Sequence, residues 1–113
     1  MIKEVFYKNT PEKVRYSANL TFQASENNGP ETISLSGEGN LNKIRTRFLR
    51  MQNTVRDGGA IKKAREEEYL LEVNFYHPKD NKVVGNMTCR TSGRKNRIKQ
   101  YLKDMEDGKL PVI

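Results

Sequence analysis

The sequence predicts an α+β fold: a tandem ββα repeat forming a four- to five-stranded, mostly antiparallel sheet, with two helices on one face and a pseudo-twofold relation. Three observations predict it. An alternating apolar run, Tyr16, Ala18, Leu20 and Phe22, recurs at an offset of 53 as Tyr69, Leu71, Val73 and Phe75. A helical apolar series, Ile44, Phe48 and Met51, recurs at an offset of 54 as Ile98, Leu102 and Met105, preceded in each copy by Asn42-Lys43-Ile44-Arg45 and Asn96-Arg97-Ile98-Lys99. The slip of one residue between the two offsets is what a loop-length change in one copy of a duplicated unit leaves behind. The whole chain, 1–113, reads as a single domain, with pseudo-repeats at 13–57 and 66–108 and a connection at 58–65.

Each element has a local reason. Ile2 to Tyr7 is short, aromatic and β-prone before Asn9-Thr10-Pro11, and reads as an added strand at the sheet edge. Val14 to Gln23 alternates strictly, with Tyr16, Ala18, Leu20 and Phe22 on one face and Arg15, Ser17, Asn19, Thr21 and Gln23 on the other. Ser25 to Pro30 is dense in turn formers, and Glu31 to Ser36 resumes the alternation through Ile33 and Leu35, which makes a hairpin. Gly37-Glu38-Gly39-Asn40 is expected to break that strand. Asn40 is the N-cap of a helix whose stripe, Leu41, Ile44, Phe48, Met51 and Val55, ends at Asp57-Gly58-Gly59. In the second copy Tyr69 to His77 and Lys82 to Thr91 are strands around the turn Pro78 to Asn81, and Arg94 to Asp107 is a helix stopped by Gly108. Ala60 to Glu68 reads as a solvated linker, and its three consecutive glutamates point in different directions and do not form a cation site.

Placing the aromatic stripe against the helices leaves an opposite sheet face of Arg15, Asn19, Thr21, Gln23, Glu72, Asn74 and Tyr76, polar and near neutral. The reverse arrangement would open the aromatics for stacking on bases.

A net charge of +7 on 113 residues, with 31% charged side chains, suggests a soluble basic chain with a polyanionic partner. The surplus is local. Residues 40–65 hold eight basic side chains against Asp57 alone, and residues 90–109 hold seven against three, whereas 1–39 and 66–89 are slightly acidic. Positive charge therefore belongs to the two helical segments and their loops, and the expected phosphate contacts are Lys43, Arg45, Arg47, Arg50, Lys62, Lys63, Arg94, Lys95, Arg97 and Lys99. Projected at the helical angle, Lys43, Arg47 and Arg50 share one flank of the first stripe, and Arg45 and Arg56 share the other. Ser92-Gly93-Arg94-Lys95-Asn96-Arg97 places cations in the first turn of a helix, against the dipole, a penalty that a bound phosphate would reverse. At the first helix start Glu38 argues against the same role.

Other function classes find little in the chain. One histidine, His77, and one cysteine, Cys89, give neither a nucleophile-base pair nor a metal set, so no catalytic residue, metal or cofactor is expected and the chain reads as a non-enzyme. No apolar run is long enough to span a membrane, no secretion signal is visible at Met1 to Phe6, and a cytoplasmic location is expected. The doubled unit resembles the homing endonucleases in architectural outline, yet the paired acidic helix motif of that family is absent from this sequence. The reading is a small basic nucleic-acid-binding protein, DNA before RNA, contacting the phosphate backbone with little sequence selectivity, of the accessory kind carried by phages or mobile elements. The alternative is a protein-binding module or inhibitor whose basic helices dock on an acidic partner surface. A homodimer through the edge strand Ile2 to Tyr7 would complete either surface.

Overall fold

The computed structural model describes residues 2–8, 10–22, 30–56, 67–93 and 95–107. Seven elements follow one another: β1 (Ile2–Phe6), β2 (Lys13–Phe22), β3 (Glu31–Asn40), α1 (Leu41–Arg56), β4 (Glu67–Tyr76), β5 (Val83–Gly93) and α2 (Lys95–Glu106). The fold is α+β, with a five-stranded antiparallel sheet in the order β1-β5-β4-β2-β3 and two helices.

The alternation of β2 and β4 decides which face is covered. Val14, Tyr16, Ala18, Leu20 and Phe22 of β2 and Tyr69, Leu71, Val73 and Phe75 of β4 are all buried, and so are Met87 and Cys89 of β5. They form one cluster with Ile44, Phe48 and Met51 of α1 and Ile98, Leu102 and Met105 of α2, so both helices lie on the same face. Because the period is two, the residues between them necessarily face the other way. The aromatics are therefore core, and the arrangement that would have opened them for base stacking is overturned. The uncovered face is the polar one, where Ser34 donates a hydrogen bond to Asn19 Oδ1 at 2.8 Å and the Thr21 and Thr32 hydroxyls pair at 3.2 Å.

At the middle of the sheet Tyr16 stands opposite Phe75, Phe22 opposite Tyr69 and Asn19 opposite Glu72. Phe22 and Tyr69 meet edge to face with centroids 6.1 Å apart, and the Tyr16 ring meets Phe48 of α1 in the same way at 5.7 Å.

Two boundaries differ from the sequence expectation. Gly37 to Asn40 does not break β3, which pairs with β2 through Asn40. The Tyr16 ring lies across Gly37 so closely that a Cβ there would stand 2.8 Å from it, so the glycine admits a cross-strand aromatic instead of ending the strand. Glu67 and Glu68 are not linker either: they pair with Gly93 and Ser92 as the start of β4. The connection 58–65 lies outside the described residues.

Gly85 plays the matching part at the other end of the sheet. It faces Phe6, whose ring would overlap any Cβ at that position, and Phe6 packs at 5.6 Å on Phe75. β1 thus joins the sheet by laying an aromatic over a glycine of β5. The turn from β4 to β5 is held by the His77 carbonyl accepting from Asn81 N–H at 2.9 Å, with Asn81 in the left-handed region at φ 58° that asparagine tolerates.

Candidate nucleic-acid interface

The two helices set where the basic side chains go. α1 begins with Asn40 as its N-cap, the side-chain oxygen accepting from Lys43 N–H at 3.1 Å, which fixes the phase of everything after it. With Ile44, Phe48 and Met51 turned to the sheet, Lys43, Arg47 and Arg50 fall on one flank and Arg45 on the other.

The flank carrying Arg45 is neutralised. Arg45 donates to both Glu4 oxygens, at 2.5 and 2.7 Å, and its guanidinium sits 5.4 Å from the Phe6 ring centroid. This two-point pair holds the guanidinium pKa above its ordinary value, hydrogen bonding outweighing burial. Arg45 is a clamp between α1 and β1.

On the outer flank of α2 two cations share one acid. Lys99 pairs with Glu31 of β3 at 2.8 Å and Lys95 with the same carboxylate at 3.4 Å, while the Lys95 ammonium lies 5.3 Å from the Phe22 ring. Glu31 is held below the usual carboxylate range, first by the Lys99 hydrogen bond. Lys95 therefore has a partner at the helix start without any bound anion.

What remains is the seam where the helices meet. The Tyr101 hydroxyl of α2 donates to the Arg47 backbone carbonyl at 2.6 Å, joining the two helices midway. Burial pushes the Tyr101 hydroxyl pKa up, against the opposing fields of Arg47 and Arg50. Lys43, Arg50 and Arg97 are exposed and Arg47 half-buried, and none of the four has an ion pair among the described residues. Asp104, Glu106 and Asp107 gather at the far end of α2.

The ten expected contacts thus sort into three groups. Lys43, Arg47, Arg50 and Arg97 lie on the outer helical surface without an acidic partner. Arg45, Lys95 and Lys99 are tied to Glu4 and Glu31. Lys62, Lys63 and Arg94 lie outside the described residues. The sequence carried the signal for the tied group, since Arg45 and Lys99 occupy matching places 54 apart, but their acidic partners sit far away in the chain.

Glu38, weighed as an obstacle at the first helix start, points to the uncovered sheet face, where Lys13 at 3.1 Å and Arg15 at 3.5 Å hold its carboxyl below the ordinary range. Arg15 also donates to Asn81 Oδ1 at 3.3 Å, beside a hollow of about 410 Å³ lined in part by Tyr76 and Ser36. His77 stands at the strand end, its Nδ1 accepting from Lys79 N–H at 3.1 Å. Cys89 is buried, and burial raises its thiol pKa. No described helix is long and apolar enough to cross a membrane, and no group of three or more metal-ligating side chains occurs among the described residues. No family model, curated protein or solved structure matches the chain.

Proposed function

We propose that the outer surface of the α1–α2 pair binds the phosphate backbone of nucleic acid, DNA in the first instance, with little sequence selectivity. One observation carries this reading: Arg45 is paired with Glu4 and both Lys95 and Lys99 with Glu31, while Lys43, Arg47, Arg50 and Arg97 share the outer surface with no such partner among the described residues. Cations left unpaired beside one another repel, and a polyanion relieves that repulsion while releasing its own counterions. Among the described residues nothing in this surface resembles an inserted reading element, so contact stays with phosphates.

Fluorescence anisotropy of labelled duplex DNA, single-stranded DNA and RNA at several salt concentrations tests it. Four phosphate contacts on duplex DNA give a log–log salt slope of about −3 to −4, and Arg47→Ala with Arg50→Ala shallows it by about two. Absence of binding to all three at low salt would refute the reading and leave the acidic protein surface as the partner.

We infer further that the chain is a duplicated strand-strand-helix unit about a pseudo-twofold axis. The central ladder supports it: Tyr16 faces Phe75 and Phe22 faces Tyr69, which is the reciprocal pairing that two copies offset by 53 make across a dyad, and Asn19 and Glu72, themselves 53 apart, stand opposite each other.

Self-association through β1 is supported by the placement of Ile2, Val5, Tyr7 and Val83, the exposed large apolar residues of the described chain, at that edge. Val5→Lys should then lower the mass measured by sedimentation; a monomer before and after the change removes the dimer.

A further inference from the structure

Among the described strands β1 is the one with no fully buried side chain. Ile2, Lys3 and Val5 are exposed and Glu4 and Phe6 half-buried, whereas β2, β3, β4 and β5 each place at least one side chain in the core. A short set of ties holds it. Its backbone pairs antiparallel with β5, and just beyond its end Tyr7 N–H donates to the Val84 carbonyl at 3.0 Å. Phe6 lies over Gly85 and against Phe75. On the helix side, Arg45 of α1 grips Glu4 through both carboxylate oxygens. A segment with so little buried apolar surface is among the first to open in a folded protein.

The grip also has an effect on α1. That helix contains no acidic residue, and Glu4 is the one carboxylate ion-paired with it among the described residues. A guanidinium offers parallel donors in a fork that fits a carboxylate or a phosphate, and on Arg45 the Glu4 oxygens take that fork. Lys43, Arg47 and Arg50 stand on the other flank of the same helix, a helix being about 10 Å across. β1 thus withdraws one cation from a surface whose other cations have no acidic partner among the described residues. We propose that β1 is an autoinhibitory strand: Glu4 stands where a backbone phosphate would sit on Arg45, and undocking of the strand adds Arg45 to the polyanion-binding surface. This rests on the reading of the helix pair as a phosphate-binding surface.

Linkage makes the effect reciprocal. Whatever factor docked β1 takes from polyanion affinity, bound polyanion takes from the docking of β1. Carboxylate and phosphate compete for one guanidinium, so the coupling needs Arg45 as much as Glu4. Phe6 enters differently, because its uncharged ring only holds the strand in place, with the Arg45 guanidinium 5.4 Å from its centroid. Truncating that ring should weaken the fold and strengthen nucleic-acid binding together, a combination that a purely structural strand does not produce.

The test is fluorescence anisotropy of labelled duplex DNA over a salt series, with the full chain as wild type, Glu4→Gln, Phe6→Ala, Glu4→Gln combined with Arg45→Ala, and Glu38→Gln. Glu38 is paired with Lys13 and Arg15 on the uncovered sheet face, so its change removes the same charge without touching α1. Glu4→Gln and Phe6→Ala should each steepen the log–log salt slope by about one and tighten binding at low salt about fivefold. The combined variant and Glu38→Gln should keep the wild-type slope. In the wild type, saturating DNA should speed hydrogen exchange at Tyr7 N–H by a similar factor and leave Val73 of β4 unchanged. Wild-type slopes for both Glu4→Gln and Phe6→Ala, or an equal gain from Glu38→Gln, would overturn the autoinhibitory role while leaving the helix pair as a DNA-binding surface. Absence of binding by the wild type and every variant would remove both.

Discussion

The two margins of the sheet are finished with the same device and different materials. At the β1 margin, an arginine on the outer flank of α1 holds a glutamate of the added strand through two hydrogen bonds, and Phe6 lies over Gly85 beneath it. At the β3 margin, a lysine at the matching place on α2 holds a glutamate of the strand it already covers, and among the described residues no further strand pairs with that edge. A helix flank needs an acid to anchor it to the sheet. The acid comes from an added strand at one margin and from the covered strand itself at the other.

The largest effect that sharpens the contrast concerns the rings under the two clamps. Phe22, fully buried beneath Lys95, costs about 3–5 kcal/mol when changed to Ala, and the half-buried Phe6 costs less than half of that in urea unfolding. Equal losses would mean that β1 is as much a part of the core as the central strands. Next comes Gly85→Ala. Its Cβ would meet the Phe6 ring and stand 2.9 Å from the Val5 carbonyl oxygen, so a loss of about 1–3 kcal/mol is expected, with β1 released first in hydrogen exchange. At Gly37 the added atom meets only the Tyr16 side chain, and the cost should be smaller.

The clamps themselves come third. Arg45→Ala, which breaks a two-point and partly buried pair, should cost about 1–2 kcal/mol, whereas Lys99→Ala, more exposed and single-pointed, should cost no more than about 0.5 kcal/mol. The reverse order would show that the β3 margin depends on its clamp more than the β1 margin does. The smallest effect is on acid stability. Glu31 and Glu38 are held below their ordinary carboxylate range by lysine partners, so they bind fewer protons folded than unfolded. Their contribution is present above the ordinary glutamate range and is lost as pH falls through the lowered folded values. Glu31→Gln should therefore lower stability slightly at neutral pH and leave it unchanged at the acid end, which flattens the acid side of a thermal-stability profile.

Much of this architecture was legible in the sequence because the two periods are strong. The alternation from Val14 to Phe22 and from Tyr69 to Phe75, and the stripes Ile44-Phe48-Met51 and Ile98-Leu102-Met105, set the strands, helices and covered face. Asn40 announced the N-cap correctly. Gly37 and Gly39 misled, because a glycine that ends a strand and one that receives a ring from the neighbouring strand look alike until the partner Tyr16 is known. The basic helices were legible as a charge surplus, but their sorting was not: Glu4 lies 41 residues from Arg45, and Glu31 lies on a strand that no local pattern pairs with α2.

Each helix belongs in sequence to one hairpin and is anchored on the other. α1 follows β2–β3 yet touches β5 and holds β1, and α2 follows β4–β5 yet holds β3. Neither half of the chain owns a complete interior, so residues 1–57 and 66–113 prepared as separate peptides have exposed apolar faces alone and a shared one together. The protein behaves in this respect as an obligate dimer whose subunits happen to be covalently joined, and its stability as a joined chain measures the effective concentration that the connection imposes on two mutually dependent partners.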